Sequence, residues 1–318
     1  MKKILTWGNL SANTCEKVQG FVKIYNSGVE VPVTLINGKE DGKTILITAG
    51  IHGCEYPGIQ TAIELSQEIS EEDVNGNIII IHPVNIDAFK SKVSAIVPED
   101  GKNINREFPG DENGTISQQI AHFITHQCQS QADFYIDLHG GDLYELVTDY
   151  VYYPGIGDDE VINISKEIAS IIDTDYMVKS SARTGAYNSC AINKTPSILI
   201  ERGGRGLWSK EEVIKYKKDI RTILNYLNVV NDLKYENKKE DKVEITNAIY
   251  LNSDVDGCWY PNVLPGDKIE KGMVIGEIKD FFGNTMKTYL ANVDGVVLYM
   301  TVSLSVSKDE PLIAYGEI

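Results

Sequence analysis

The stretch TILITAGIHGCEYPG, residues 44–58, decides the fold, because it joins an apolar run to a helix start through a short polar turn. Thr44–Ile51 is a continuous apolar run of strand length, and Ile59–Ser70 carries apolar residues at helical spacing. Pro57 and Gly58 lie where the helix should begin. The stretch therefore predicts a buried strand followed by a helix.

The same alternation of strand and helix continues through three quarters of the chain. Further strands are predicted at Asn77–His82, Phe134–Leu138 and Ser197–Ile200, and further helices at Ile116–Gln129, Val161–Ile172 and Lys210–Leu227. Lys17–Asn37 has shorter, alternating runs that favour an antiparallel edge. The pattern predicts an α/β fold in which helices flank a mixed, largely parallel sheet.

A second, smaller domain is predicted at the C-terminal end. The charged stretch Tyr235–Lys242 is typical of a linker. After it, short apolar runs alternate with turn pairs such as Pro265-Gly266, which indicates an all-β unit. This unit resembles the barrel-sandwich fold of lipoyl and biotinyl carriers but lacks a clear carrier lysine, so we expect a structural or gating role. The predicted domains are residues 1–241 and 242–318.

Composition excludes several classes of protein. The net charge of -16 argues against a nucleic-acid partner, because phosphate binding needs a basic surface. The five cysteines are dispersed, which argues against a disulfide framework. No apolar run is long enough to span a bilayer, and Met1-Lys2-Lys3 is not followed by the apolar stretch of a signal peptide. We therefore expect a cytoplasmic protein with no membrane partner.

His52 and Glu55 directly follow the first strand. In a parallel sheet, the loops that leave the carboxyl ends of strands are where sites assemble. Imidazole and carboxylate are ligands of catalytic zinc, but an H-x-x-E pattern alone fits a solvated loop equally well.

A second histidine, His139, ends another predicted strand and is followed by Gly140 and Gly141. Two histidines and one glutamate complete a set that leaves the fourth zinc position open. Asp137, or a backbone carbonyl nearby, is expected to orient a ligand histidine.

A third apolar strand ends in Glu201, which suits a general base that takes a proton from activated water. The alternative is a structural ion pair between Glu201 and Arg202. Asn105 and Arg106 offer an amide beside a planar guanidinium, a natural receptor for a substrate carboxylate, although an exposed turn would have the same sequence.

Taken together, these segments resemble the succinylglutamate desuccinylase/aspartoacylase family of zinc hydrolases, whose fold is that of the zinc carboxypeptidases. Four motifs carry the resemblance in order: H-G-x-E at 52–55, N-x-N-R-x-F-P-G at 103–110, D-L-H-G-G at 137–141 and I-E-x-G-G at 200–204. The resemblance implies one zinc ion per chain, with His52, Glu55 and His139 as ligands and Glu201 as catalytic base. It also implies that Asn105 and Arg106 bind the carboxylate of the amino-acid part.

One departure from the family pattern concerns a second arginine upstream of Asn105. Residues 88–93 read AFKSKV, without arginine, so Lys92 is the candidate for an oxyanion-stabilising cation. Arg183 is a further candidate for substrate contact, with a surface arginine as the alternative.

The resulting first hypothesis is a zinc-dependent deacylase that acts on an N-acyl amino acid. A zinc carboxypeptidase for short peptides is the second, and a metal-free binding protein is the third. Many relatives of this kind are dimers or larger, so the resemblance leaves a homo-oligomer open.

Overall fold

The computed structural model describes residues 3–25, 27–231 and 242–318. Most of the predicted linker, Tyr235–Lys242, therefore lies outside the described residues. The described chain contains a large mixed sheet flanked by helices, a small N-terminal hairpin and two C-terminal antiparallel sheets. The predicted α/β fold with an appended all-β unit is confirmed.

The central sheet has nine strands in the order β12-β10-β9-β11-β7-β5-β6-β4-β3. The strands are β3 (Glu16–Lys23), β4 (Glu30–Asn37), β5 (Glu40–Ala49), β6 (Asn75–Ile81), β7 (Phe134–His139), β9 (Tyr150–Pro154), β10 (Tyr176–Ser180), β11 (Ser197–Glu201) and β12 (Val243–Ile245). Strands β6, β5, β7 and β11 run parallel, whereas β9 is antiparallel to β11. The antiparallel pair β3 and β4 forms one edge, as predicted for Lys17–Asn37.

Helices cover both faces of this sheet. They are α1 (Tyr56–Glu68), α2 (Ile86–Ser91), α3 (Ile116–Phe123), α4 (Asp159–Ala169), α5 (Ala186–Ile192) and α6 (Lys210–Tyr226). Helices α1, α4 and α6 pack on one face, around Ile47, Ile136 and Ile200. Helices α3 and α5 pack on the other face, around Leu46 and Leu199. Both faces are buried, which explains why the strands read as continuous apolar runs.

The helix predicted at Ile116–Gln129 is present but changes type in its second half. The α-helix ends at Phe123, and residues Ile124–Cys128 form a wider π-helical turn. Thr115 and Gln118 form a capping box at the start of α3, so its beginning is readable from sequence, whereas the π turn has no such local signal. Among the described helices, none has both the length and the apolar character needed to cross a membrane.

The C-terminal unit is a sandwich of two antiparallel sheets around its own core, which includes Trp259, Ile278 and Tyr315. One sheet contains β13 (Ala248–Asn252), β15 (Lys268–Ile269), β18 (Gly295–Thr301) and β20 (Pro311–Glu317). The other contains β14 (Gly257–Pro261), β16 (Val274–Lys279), β17 (Thr285–Leu290) and β19 (Ser305–Val306). The remaining short strands are β1 (Leu5–Trp7) and β2 (Leu10–Ala12), which pair with each other, and β8 (Glu145–Val147).

Two strands join the large sheet and the C-terminal unit. Strand β12 follows the predicted domain boundary but pairs in parallel with β10 of the central sheet. Strand β8, which comes soon after His139, pairs antiparallel with β18 of the sandwich. These two pairings hold the C-terminal unit against the central sheet, on the side where the carboxyl end of β7 lies.

Candidate active site

Three parallel strands end at the same edge of the central sheet. Strands β5, β7 and β11 are neighbours, so the residues that follow or end them lie side by side. His52 follows β5, His139 ends β7 and Glu201 ends β11, where it lies opposite His139 in the ladder. The structure thus brings together the three segments that the sequence placed at successive strand ends.

The glycine pairs after His139 and Glu201 permit this close approach. A Cβ on Gly140 would lie 2.1 Å from the carbonyl oxygen of Arg202, and a Cβ on Gly204 would lie 2.2 Å from that of Glu145. Gly204 also has a φ of +145°, which L side chains rarely adopt. A larger residue at Gly140 would push it away from the segment that follows Glu201, and one at Gly204 would push that segment away from Glu145.

Glu55 bridges the two histidines. Its Oε1 lies 2.7 Å from His52 Nδ1, and its Oε2 lies 3.1 Å from His139 Nδ1. Potential ligand atoms of all three residues lie within 4.8 Å of one another. The predicted metal ligands are therefore close enough to share one ion.

The far sides of both imidazoles contact acceptors. His139 Nε2 lies 3.1 Å from Asp137 Oδ2, and Asp137 in turn accepts a hydrogen bond from the Thr48 hydroxyl. His52 Nε2 lies 3.1 Å from Asn103 Oδ1, which also accepts from the backbone N–H of Asn105. Because these partners accept, they favour a proton on each Nε2, which is the arrangement of a histidine that gives its Nδ1 lone pair to a bound cation.

Several features fit a bound cation. Glu55 Oε2 is buried and has no hydrogen-bond partner among the described residues, although it lies beside His139 Nδ1. Burial acts to raise the pKa of Glu55, but His139 and His52 outweigh it and lower this pKa to about 2. A carboxylate that remains charged between two imidazoles matches the donor set of a zinc site with an open position.

Glu201 and Arg202 point to opposite sides of the strand end. Arg202 is fully buried and forms ion pairs with Asp149 and, at 2.5 Å, with Asp219 Oδ2. The alternative ion pair between Glu201 and Arg202 is therefore excluded. Glu201 instead lines the cavity in front of the candidate metal site.

The surroundings of Glu201 raise its pKa. Burial raises the pKa of Glu201 well above its ordinary value, His139 opposes this, and the carboxylates Glu55 and Glu145 add to it. A carboxyl group with a raised pKa suits a residue that must accept a proton and hold it.

Tyr216 of α6 fixes the strand ends from behind. Its hydroxyl donates a hydrogen bond to the backbone carbonyl of His139 and lies 3.5 Å from the carbonyl of Ile200. The side chain is completely buried. One helix residue thus contacts the two strand ends that carry a candidate ligand and the candidate base.

The cavity in front of these residues has a volume of about 1210 Å³. Asn105 and Arg106 line it, as the sequence predicted for substrate-binding residues. Asn105 Oδ1 accepts a hydrogen bond from the backbone N–H of Ala186, which ties its loop to the start of α5. Arg106 is exposed and forms no ion pair among the described residues, so its guanidinium is available to an anion.

Lys92 and Arg183 are not brought to this cavity. Both are exposed, and neither is among the residues that line it. Lys92 ends α2 in a left-handed backbone conformation. Their roles in catalysis and substrate contact stay predictions of the sequence.

One wall of the cavity comes from elements that sequence reasoning missed. Tyr250 and Tyr299 belong to the C-terminal unit, and Tyr152 belongs to the predicted catalytic domain. Tyr152 and Tyr250 are hydrogen-bonded through their hydroxyl groups at 2.9 Å. Glu145 on β8 also lines the cavity. None of these residues lies in a local motif, because distant strands bring them together.

Comparison with known proteins assigns the chain to a family. Residues 41–227 match the family model described as succinylglutamate desuccinylase/aspartoacylase catalytic domain. The match covers more than half of the chain, and the chain belongs to this family. The resemblance inferred from four short motifs is confirmed.

Particular relatives match over nearly the full length. The N-alpha-acetyl-L-2,4-diaminobutyric acid deacetylase of Halomonas elongata is 27% identical over 313 residues, which cover 94% of this chain and 91% of the relative. The product-bound ectoine utilization protein from Ruegeria pomeroyi has a TM-score of 0.86 at 24% identity and 95% coverage of both chains. A succinylglutamate desuccinylase from a Silicibacter species has a TM-score of 0.85 at 23% identity and full coverage of both chains. These two structures show that the whole chain, including the C-terminal unit, shares a known fold.

Proposed function

We propose that this protein is a zinc-dependent hydrolase that removes the acyl group from an N-acyl amino acid. One observation carries the proposal: the buried carboxylate of Glu55 lies between two imidazole nitrogens, one beside each of its oxygens, with Glu201 beside them on the next strand. The name of the Halomonas relative describes the same reaction class, removal of an acyl group from an N-acylated amino acid.

His52, Glu55 and His139 would hold the metal, and Asp137 and Asn103 would orient the two imidazoles. When bound, zinc supplies Lewis-acid chemistry that polarises a carbonyl group and makes water nucleophilic near neutral pH. The glycine pairs keep the ligand and base strands close enough to act on one substrate atom.

Glu201 would move the proton. Its carboxylate accepts a proton from water as the water oxygen forms a bond to the amide carbon. It then passes that proton to the amide nitrogen as the C–N bond breaks, so that a carboxylic acid and an amine leave. The raised pKa of Glu201 supports this role, because the carboxyl group must hold the proton between the two steps.

Arg106 would bind the carboxylate of the amino-acid part. It lines the cavity and has no acidic partner among the described residues, and a guanidinium can bind a carboxylate through two parallel hydrogen bonds. Asn105, whose Oδ1 accepts a hydrogen bond from Ala186, would place its side-chain amide on the same side of the cavity as Arg106. Binding at this point orients the scissile amide towards Glu201.

The size of the cavity, about 1210 Å³, also admits a short peptide, so a zinc carboxypeptidase is the second candidate. The two candidates differ in the acyl side of the cleaved bond. A panel of N-acetyl and N-succinyl amino acids, compared with dipeptides of the same C-terminal residue, separates them. Cleavage of dipeptides alone would refute the deacylase.

The catalytic test is Glu201→Gln in zinc-loaded protein. We expect a loss of about 10²- to 10⁴-fold in kcat, the usual contribution of a general base, with zinc content unchanged. Glu310→Gln is the matched control, because Glu310 lines the same cavity but is exposed and accepts a backbone hydrogen bond from Ser307. A Glu201→Gln variant that kept full activity would refute the assignment of the base.

A further inference from the structure

The pairing of β8 with β18 builds one wall of the cavity. Glu145 lies opposite Thr301 and Val147 lies opposite Tyr299 in this antiparallel ladder. All four residues line the cavity, as expected for side chains that alternate to one face of a two-stranded ladder. The wall is therefore apolar and hydroxyl-bearing, with a single carboxylate from Glu145.

Glu145 is an acidic side chain of the inner cavity to which the described residues give no cationic partner, and the backbone N–H of Asp142 acts on its carboxylate as a hydrogen-bond donor. It forms no ion pair with a lysine or arginine among the described residues. Asp142, its acidic neighbour, is already used: its two oxygens accept hydrogen bonds from the backbone N–H groups of Ala95 and Leu143. Asp142 therefore has a donor on each oxygen, whereas the Glu145 carboxylate, with one backbone donor, can still accept from a charged group that enters the cavity.

The charges that line the cavity favour a cation at this point. The acidic residues that line it are Glu55, Asp142, Glu145, Glu201 and Glu310, and the basic ones are Arg106 and Lys179. Both basic residues are exposed, whereas Glu55 and Asp142 are buried. A buried carboxylate near others of the same charge is stabilised by a positive ligand and destabilised by a negative one.

We propose that Glu145 binds a protonated amine on the side chain of the substrate, so that the preferred substrates are N-acyl diamino acids. This inference rests on the proposed function, because it uses Arg106 as the receptor for the α-carboxylate. Glu145 comes six residues after His139, and its backbone carbonyl packs against Gly141 and Gly204 at the two strand ends. The amine should therefore lie only a few bonds from the scissile amide, which favours a short side chain.

The same wall disfavours N-acyl derivatives of acidic amino acids. A side-chain carboxylate placed at β8 would meet Glu145, with Asp142 and Glu55 close behind it. In this chain the described part of the wall offers Val147, Tyr299 and Thr301 there and no basic residue. The Thr301 hydroxyl donates to the carbonyl of Pro311, so it does not compensate for the missing cation.

The test compares substrates that differ only in charge. N-acetyl-L-2,4-diaminobutyrate carries the side-chain amine, N-acetyl-L-norvaline is its neutral counterpart of similar size, and N-acetyl-L-aspartate carries the opposite charge. For zinc-loaded wild type we expect kcat/KM to be about 10- to 100-fold higher for the diaminobutyrate than for the norvaline derivative, and lowest for aspartate. In Glu145→Gln the first ratio should fall to within about threefold of unity, whereas Glu310→Gln should keep it.

A binding measurement keeps the inference separate from the proposed function. Calorimetric titration of the zinc-loaded protein with 2,4-diaminobutyrate and with norvaline needs no turnover, and Glu145→Gln should abolish the preference for the diamino acid. If no N-acyl amino acid is hydrolysed but this preference and its loss are observed, the proposed function fails and the amine site stands. Equal use of the diaminobutyrate and norvaline derivatives by wild type, or a preference that survives Glu145→Gln, would overturn the inference. Zinc content of Glu145→Gln equal to wild type excludes an indirect effect on the metal.

Discussion

The cavity has two walls of different origin. The sheet wall, formed by His52, Glu55, His139 and Glu201, lies at the ends of three neighbouring parallel strands. The ladder wall, formed by Glu145, Val147, Tyr299 and Thr301 together with Tyr250, comes from β8 and the C-terminal unit. The sheet wall carries donors for a metal and a proton, whereas the ladder wall carries hydroxyl, apolar and acidic groups that can only contact a substrate.

This difference separates chemistry from selectivity. Side chains of the sheet wall are held by hydrogen bonds to buried groups, such as Asp137 and the backbone contact of Tyr216. The ladder wall depends on strand pairing between residues more than 150 positions apart, such as Glu145 and Thr301. We therefore expect changes in the sheet wall to affect metal binding and turnover, and changes in the ladder wall to affect the choice of substrate.

The largest effect is expected for Glu55→Gln. The amide removes the negative charge that bridges the two imidazoles, so zinc content should fall far below one ion per chain and hydrolysis should fall to background. Metal analysis of the purified variant and an assay with N-acetyl amino acids measure both. Glu310→Gln makes the same charge change in the cavity and should retain zinc; a fully loaded, active Glu55→Gln would refute the ligand assignment.

The next largest effect is expected for Asp137, which contacts the candidate metal ligand His139. Asp137→Asn should weaken zinc binding by about 10- to 100-fold, because the amide no longer holds the proton on His139 Nε2 with a full negative charge. Competition with a chromophoric chelator measures the affinity. Thr48 can still donate to the amide oxygen, so the zinc-free variant should unfold at nearly the wild-type temperature. Unchanged zinc affinity would remove Asp137 from the site.

The residues of the sheet wall were more predictable from the sequence than those of the ladder wall. His52, His139 and Glu201 each follow an apolar run that is visible locally, and parallel strands bring such ends together by topology alone. The strand predicted at Ser197–Ile200 differs from β11 by one residue.

Other features had no local signal. The π turn after Phe123 continues a helical pattern, so its sequence does not distinguish it from an α-helix. Glu145 becomes a cavity residue only when β18, far along the chain, pairs with β8. Strand β12 likewise joins the large sheet although it follows the predicted boundary, because pairing with β10 depends on tertiary structure and not on composition.

A third prediction compares three cations that the sequence proposed for the substrate site. Arg106→Ala should lower kcat/KM by about 10- to 100-fold, mainly through KM, because a charged hydrogen-bond partner of the substrate carboxylate is lost. Lys92→Ala and Arg183→Ala remove the same charge outside the lining of the cavity, and we expect changes of less than about threefold. Steady-state kinetics of the three variants measures these effects. A larger effect from Lys92→Ala or Arg183→Ala would support the substrate-site role predicted from sequence, and would imply that the segment carrying that residue moves towards the cavity.

The smallest effect is expected on the ladder wall, for Tyr250→Phe. The Tyr250 hydroxyl is hydrogen-bonded to that of Tyr152. Burial raises the pKa of Tyr250, while Glu201 and Arg106 are close enough to act on it in opposite directions. Loss of one neutral hydrogen bond should lower kcat/KM by about 2- to 10-fold and leave zinc content unchanged. Tyr260→Phe is the matched control, because Tyr260 is an exposed tyrosine of the same unit that does not line the cavity. An equal effect of the two variants would mean that the C-terminal unit acts through stability, whereas an effect of Tyr250→Phe that differs between substrates would show that the ladder wall takes part in choosing them.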